Sequence, residues 1–399
     1  MSQPLKVLHI GKYFAPFNGG LENYQRDAMV ALADHGVESA ALVHQHELTL
    51  KSSEETVPAH GLDLPLIRVA TWFKLLFTPI SPGFPSRLSR LIKSFQPDLL
   101  HLHMPNPSAF WCLFLPAARK LPWVVHWHAD VITEQQDWKM KLFYQIYKHF
   151  ERATLKQAVA IVATSPPYLA SSQPLQPWLP KCHVVPLGAE PSRLNHAAKA
   201  APIPHDDITA SKAPLKVLAI GRLTYYKGFQ HLIKAAALVP ELQVAIVGTG
   251  DQEHDLKALT ASLKLAKQVT FLGALDDQQL AGWMTWSDCL CLPSIERTEA
   301  FGMVLLEAQS LAKATVVSDV PGSGMGWVVD HQKTGLKVPP ANSEALAAAL
   351  SQLHNDRATM QAMGKNGLHK FQKEFDINQA IKKLIPVYQH AIGKREQLT

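Results

Sequence analysis

Cysteine is scarce in this chain, and its spacing sets aside most of what cysteine does. The four in 399 residues, Cys112, Cys182, Cys289 and Cys291, form no Cys-x-x-Cys pair and no recognisable framework, which excludes a disulfide scaffold and fits a reducing compartment. Cys289 and Cys291 stand two apart in a strand-like run and share one face, the pattern of two buried thiols. Long apolar runs are missing too. No stretch approaches the roughly 18 apolar residues of a spanning helix, and the run Lys6-Val-Leu-His-Ile is too short for a signal h-region and lacks a small-residue cleavage site. A cytoplasmic protein is expected. Also absent is a dense Lys/Arg run with interleaved aromatics, so nucleic acid is not an expected partner. Thirty-nine Lys plus Arg against 33 Asp plus Glu still leave a formal net charge of +6, which suits anionic ligands or an anionic bilayer surface. A dinucleotide fingerprint is lacking: Gly11 has no glycine at the required spacing and Gly248-Thr-Gly250 lacks the third, which argues against NAD or FAD.

What is present is an ample core, with 47% hydrophobic and 18% charged residues, in a chain longer than one core usually serves. Two segments are alike, Leu5-Lys-Val-Leu-His-Ile-Gly and Leu215-Lys-Val-Leu-Ala-Ile-Gly, and each opens a half. Strand-like runs follow at Ala40 to Val43, Leu99 to Leu102, Val124 to His128 and Ala160 to Ala163, then at Val244 to Val247, Val269 to Leu272, Cys289 to Leu292 and Thr315 to Ser318. They alternate with helical patterns, which indicates parallel sheets covered on both faces. The fold class expected is α/β, with two Rossmann-like domains facing across a cleft and ligands beyond the carboxyl ends of the strands. The boundaries are 1–195, a linker at 196–214 rich in Ala, Pro, Ser and Asp, and a second domain at 215–375.

The sharpest chemical signal is Thr298-Glu299-Ala300-Phe301-Gly302-Met303-Val304-Leu305-Leu306-Glu307-Ala308. Glu299 falls in the loop after a strand. Gly302 lets a ligand approach the backbone, and the N–H groups of Met303 and Val304 open a helix suited to a diphosphate. Glu307 sits in an apolar segment, where a carboxylate needs a partner such as ribose hydroxyls. Gly19 and Gly20 precede a helical pattern and also suit an anion, a tight turn being the plainer reading. Arg222 and Lys227 follow the first strand of the second half, five residues apart, and both can reach one diphosphate, Arg as a fork and Lys as a point charge, two solvated surface charges being the plainer reading. Three His-x-His pairs, His44/His46, His101/His103 and His126/His128, each share a strand face and offer a metal grip. No Asp, Glu or Cys cluster accompanies them, so hydrogen-bonded structural histidines are expected.

Two glutamates seven residues apart around Phe-Gly, within Pro293-Ser-Ile-Glu-Arg-Thr-Glu-Ala-Phe-Gly-Met-Val-Leu-Leu-Glu-Ala308, resemble the hallmark of the retaining glycosyltransferase family 4 with its GT-B fold. The resemblance runs over nearly the whole chain, through Gly19-Gly20, Pro97-Asp-Leu-Leu-His-Leu-His103, Val185-Pro-Leu-Gly188, Ile220-Gly-Arg222, Lys227-Gly228, Phe271-Leu-Gly273 and Thr334-Gly335. It implies an N-terminal acceptor domain, a C-terminal nucleotide-sugar domain and a last helix, 376–399, packing back on the first domain. It assigns Arg222 and Lys227 to the leaving diphosphate, Glu299 to the sugar hydroxyls, Glu307 to the ribose, and the surroundings of Leu275 in Gly273 to Asp277 to the base. His128, in Val124-Val-His-Trp-His-Ala-Asp130, aligns with the histidine that contacts the donor sugar, with Asp130 positioning sugar or acceptor hydroxyls. The chain also has no Asp-x-Asp pair, the Mg²⁺ holder of the other major glycosyltransferase fold, so no metal and no cofactor beyond the donor are expected.

His126 to Asp130 and Gly322 to Trp327 resemble bacterial surface-polysaccharide transferases. The expectation is transfer of a hexose, mannose or a related sugar, from a GDP- or UDP-linked donor to a lipid-linked or polysaccharide acceptor in lipopolysaccharide O-antigen, capsule or exopolysaccharide synthesis. A UDP-hexose transferase of the same fold, a nucleotide-sugar epimerase and a catalytically silent scaffold stay open. Trp72-Phe-Lys-Leu-Leu-Phe77 and Arg87-Leu-Ser-Arg-Leu-Ile-Lys93 suggest peripheral contact with the inner membrane or with a lipid diphosphate, an ordinary amphipathic helix covering the sheet being the alternative.

Overall fold

The computed structural model describes residues 4–17, 19–75, 78–131, 138–191 and 213–397. The chain divides into two units: Met1–Gly188 together with Ile377–Thr399, and Ala189–Asp376. The expected linker at 196–214 lies outside the described residues except for its last two.

The first unit is built on β1 (Leu5–Ile10), β2 (Val37–Leu48), β3 (Ser53–Ala59), β4 (Leu62–Thr71), a two-stranded hairpin of β5 (Phe73–Leu75) and β6 (Thr78–Ile80), β7 (Leu99–Met104), β8 (Trp123–Trp127), β9 (Ala160–Ala163) and β10 (Cys182–Val184). Eight of these make one sheet in the order β10-β9-β8-β7-β1-β2-β4-β3. All pairings in it are parallel except β3 with β4. Strands β7, β8 and β9 are buried at every position, as an apolar strand covered on both faces must be. The C-terminal helix Ile377–Glu396 packs on β7, β8 and the helix Gly20–Asp34 of this unit.

The second unit has β11 (Leu215–Ile220), β12 (Leu242–Val247), β13 (Val269–Gly273), β14 (Cys289–Leu292), β15 (Ala314–Ser318) and β16 (Gly335–Val338). They form a wholly parallel sheet, β13-β12-β11-β14-β15-β16. Cys289 and Cys291 lie fully buried in its core with Val217, Val244 and Val316, where burial raises both thiols, so they pack as small apolar groups. In each unit the order reverses at the first strand: β1 lies between β7 and β2, and β11 between β14 and β12. The loops leaving β1 and β11 therefore start where open parallel sheets bind ligands.

The hairpin and the β3–β4 edge are absent from the sequence expectation. Trp72, Phe73 and Leu75 are half-exposed there, whereas the helix Phe84–Phe95 turns Leu88, Leu91 and Ile92 inward, so Arg87–Lys93 is a helix covering the sheet. Among the described residues no helix is long and apolar enough to cross a membrane.

Candidate active site

In the second unit, β11 and β14 are neighbours in the sheet, so the loops leaving them run side by side. The Ile295 N–H donates to the Tyr226 carbonyl at 2.8 Å and ties the two loops together. This brings Lys227, in the short turn Tyr225–Lys227, against Glu299 seventy-two residues away, and their side chains form an ion pair. The pair is largely buried, the side chains being 11% and 13% exposed. The Ser294 hydroxyl donates to the same carboxylate at 3.4 Å. A third loop, leaving β15, holds the Glu299 backbone: Ser323 Oγ donates to its carbonyl at 2.5 Å and the Gly324 N–H to the Ala300 carbonyl at 2.8 Å. Glu299 is thus fixed from three sides at the carboxyl end of the sheet.

Gly302 precedes the helix Met303–Ser310 at φ +82, in the left-handed region that a side chain disfavours. A Cβ there would also fall 2.9 Å from a Leu292 methyl. Along the helix, Leu305, Leu306, Ala308, Gln309 and Ser310 are buried, while Met303, Val304 and Glu307 form the partly exposed face. Positions i, i+1 and i+4 share a helix side, so one ligand can meet the first-turn backbone and Glu307 together. Phe301 points the other way, buried against Trp327 and Phe375; its part is to anchor the loop. The Arg222 side chain is exposed and does not enter the Lys227–Glu299 pair. Leu275 is partly exposed, just ahead of a helix at Asp277–Trp286 that Asp276 caps with Gln279 in a capping box. Gly248 and Gly250 serve packing: a Cβ at either would lie within 2.3 Å of a backbone oxygen, of Gly221 or Leu223.

In the first unit, Gly19 caps the helix Gly20–Asp34 without a side-chain bond, but the helix's own Glu22 folds back over it, its carboxylate 2.0 Å from where a Gly19 Cβ would stand. Any anion at Gly19 and Gly20 meets that carboxylate first. His44 is structural, its ring nitrogens bonded to Ser81 Oγ at 2.7 Å and Ser108 Oγ at 2.8 Å. His128 lies one residue beyond β8, 4% exposed, its N–H donating to the Met104 carbonyl at 2.9 Å. It belongs to a buried cluster with His9, His101, His103 and His126. Burial lowers the pKa of all five, His103 to about 3, so they are neutral. The triads His9/His101/His103 and His103/His126/His128 each place three nitrogens within 4.8 Å of one another, the spacing of a candidate metal grip.

Asp130 Oδ1 accepts from Trp127 Nε1 at 2.7 Å and Ser172 Oγ at 2.6 Å, and its N–H donates to the Tyr168 hydroxyl at 2.6 Å. Glu151, on the helix Trp138–Gln157, is buried near it and pushed up to about 8 by desolvation and by the Asp130 charge. Nothing in the sequence singles out Glu151, or His9, which only the β1–β7 register sets beside His101.

Two family models match the chain: "Glycosyl transferases group 1" over residues 204–370 and "Glycosyl transferase 4-like domain" over residues 19–188. Between them they take in most of its length. The chain is 28% identical over 385 residues to an O-antigen chain mannosyltransferase C of Escherichia coli, covering 96% of this chain and 98% of the relative. It is 28% identical over 376 residues to the D-rhamnosyltransferase WbpZ of Pseudomonas aeruginosa, covering 93% and 92%. Among solved structures, the sucrose-phosphate synthase of Thermosynechococcus elongatus superposes with a TM-score of 0.77 at 22% identity, covering 98% of this chain and all of that one, a likeness of fold.

Proposed function

The chain belongs to the group 1 glycosyltransferases of the family 4 type, with the GT-B fold, and on that premise we propose what it transfers and how. It is a glycosyltransferase of surface-polysaccharide synthesis. The donor is a nucleotide-diphosphate hexose, mannose or a related sugar, and the acceptor a lipid-linked or polysaccharide glycan, in keeping with the mannosyl- and rhamnosyltransferases it is similar to. Transfer retains configuration and uses neither metal nor cofactor. The work takes place on the cytoplasmic face of the inner membrane, with Trp72, Phe73 and Leu75 touching the bilayer.

The observation that carries this reading is the Lys227–Glu299 pair at the carboxyl ends of β11 and β14, beside the helix that opens at Met303. An ammonium has three N–H donors. Lys227 can keep Glu299 while giving another N–H to a phosphate oxygen, so one side chain links the leaving group to the carboxylate that holds the sugar. Arg222 adds a second, forked cation, and Glu307 takes the ribose. As the glycosidic bond breaks, negative charge grows on the diphosphate, where fixed cations stabilise it more than they do the ground state. The leaving phosphate oxygen takes the acceptor's proton on the same face, so no side-chain base is needed. His128 and Asp130 meet sugar and acceptor hydroxyls.

A panel of GDP- and UDP-linked hexoses tested by thermal shift checks this first, since a ligand of the folded state raises its melting midpoint. A rise with one nucleotide series, abolished by Lys227→Met, is expected. No rise with any member, or a rise untouched by that variant, contradicts it.

A further inference from the structure

The five buried histidines lie on one face of three adjacent strands. His101 and His103 are two apart on β7, as are His126 and His128 along and just past β8, and in the parallel register His9 pairs with His101 and His103 with His126. His101 stacks on His103 with ring centroids 4.4 Å and planes 11° apart, and His103 and His128 lie nearly parallel, their planes 3° apart. Tyr24 covers His126 and His128 edge-on, and Tyr388 covers His101 from the C-terminal helix.

Among the described residues, the side-chain hydrogen bonds of these rings form two separate files. In one, His128 Nε2 meets His103 Nδ1 at 2.9 Å and His103 Nε2 meets His9 Nδ1 at 3.2 Å, leaving His128 Nδ1 and His9 Nε2 buried and unpartnered. In the other, Tyr388 Oη meets His101 Nδ1 at 2.5 Å and His101 Nε2 meets His126 Nδ1 at 3.2 Å.

A neutral imidazole carries one N–H and one lone pair. His103 must therefore donate to one neighbour and accept from the other, so all three protons in the first file point the same way. Its two ends are then opposite: if His128 Nδ1 carries a proton, His9 Nε2 is a bare lone pair, and the reverse. The two ends are not equivalent. His9 is 0% exposed within β1, whereas His128 is 4% exposed past the end of β8, in the loop region of the sheet. An orphaned N–H is rarer in protein interiors than an under-satisfied acceptor. The cheaper arrangement puts the lone pair at His9 and the N–H at His128.

We propose that His9 and His103 are positioning residues for His128. His9 donates from Nδ1 to His103, His103 donates from Nδ1 to His128 Nε2, and His128 is thereby held as the tautomer that presents Nδ1–H to a sugar oxygen. This rests on the reading above that His128 meets the transferred sugar. A metal grip on the same rings is the weaker use. His103 would give up one of its hydrogen bonds in either triad, and a dication would sit fully buried with no carboxylate or thiolate among the ligands.

The test uses the full chain with histidine-selective ¹⁵N labelling and long-range ¹H–¹⁵N correlation at pH 8, with the His128 signals identified by their loss in His128→Gln. Wild type should show His128 protonated at Nδ1. His9→Asn, whose amide N–H₂ stands where Nδ1 stood, and Tyr388→Phe, which touches only the second file, should leave it so. His9→Leu should give mixed or reversed tautomers at His128, with kcat lower by about tenfold at unchanged donor KM, and His9→Asn should restore kcat. If His9→Leu does not fold, His9→Gln, whose amide sits at the Nε2 position, makes the same break. An Nε2–H tautomer in wild type, a His128 tautomer indifferent to these variants, or stoichiometric zinc in the purified protein overturns the proposal. The tautomer is read without turnover, so a coupled His128 in a chain that transfers no sugar would refute the sugar-contact reading and leave the relay standing.

Discussion

Lys227 and Glu299, seventy-two residues apart in sequence, form an ion pair at the carboxyl ends of two neighbouring strands. A diphosphate reaching Lys227 therefore shares it with a carboxylate already in place, and the two residues should respond to mutation in opposite directions. Glu299→Gln should lower kcat by about 10²- to 10³-fold, while the bare nucleoside diphosphate binds as tightly as before or more tightly, because Lys227 loses its competitor. Lys227→Met should weaken the same ligand by about ten- to a hundredfold, the worth of a charged hydrogen bond. Calorimetric titration of the nucleoside diphosphate with each variant checks this. Equal weakening in both would mean that the pair is a structural clamp.

Glu307 shares its helix face with Met303 and Val304, at the end where the first-turn N–H groups lie. Ribose contacts change little as the glycosidic bond breaks, so Glu307→Gln should raise donor KM by roughly ten- to a hundredfold and leave kcat nearly unchanged. Steady-state kinetics with the donor varied decides it. A fall in kcat at constant KM would move Glu307 from binding to chemistry.

The buried histidines make a prediction about acid. His44 and His103 are lowered to about 3 by burial, and His9, His101, His126 and His128 are lowered as well. Unfolded, each has a pKa of about 6.5. Between the folded and unfolded values the unfolded chain binds the proton and the folded chain does not, so stability rises with pH there and is complete above about 6.5. Each group contributes up to about 1.4 kcal/mol per pH unit. Urea unfolding of the first unit should be insensitive to pH from 8 to 7 and lose several kcal/mol between pH 6.5 and 5. A flat midpoint over that lower range would show that the rings take up protons while folded.

Much of the architecture was legible because parallel strands buried on both faces read as short apolar runs, and Cys289–Leu292 and Ala160–Ala163 occupy the expected positions. The edge of the first sheet was not. Strand β3 is mostly exposed and β4 carries Pro65, so neither shows the apolar run or clean alternation that marks a strand. The Phe-Gly segment and Gly302 stood out because glycine at a positive φ and a carboxylate among apolar neighbours are local anomalies. The pairing of Lys227 with Glu299 and of His9 with His103 was hidden, since both depend on strand order and register, which composition does not encode. The His-x-His pairs read as hydrogen-bonded structural histidines, and such bonds are present, between strands for His101, His103, His126 and His128 and to Ser81 and Ser108 for His44.

Membrane contact, suggested by the stretch from Trp72, narrows to the hairpin, where Trp72, Phe73 and Leu75 are about half exposed. The chain should float with anionic liposomes at low salt, and a triple serine variant of these residues should not. Failure of the wild type to float removes the contact.

Metal-free transfer with retention, as proposed, is read from the ¹H NMR spectrum of the product formed in excess EDTA from the α-linked GDP- or UDP-hexose that binds most tightly. An α-anomeric product formed at the rate seen without chelator is the result predicted. A β-anomeric product, or turnover that stops in EDTA and returns with Mg²⁺ or Mn²⁺, would contradict it.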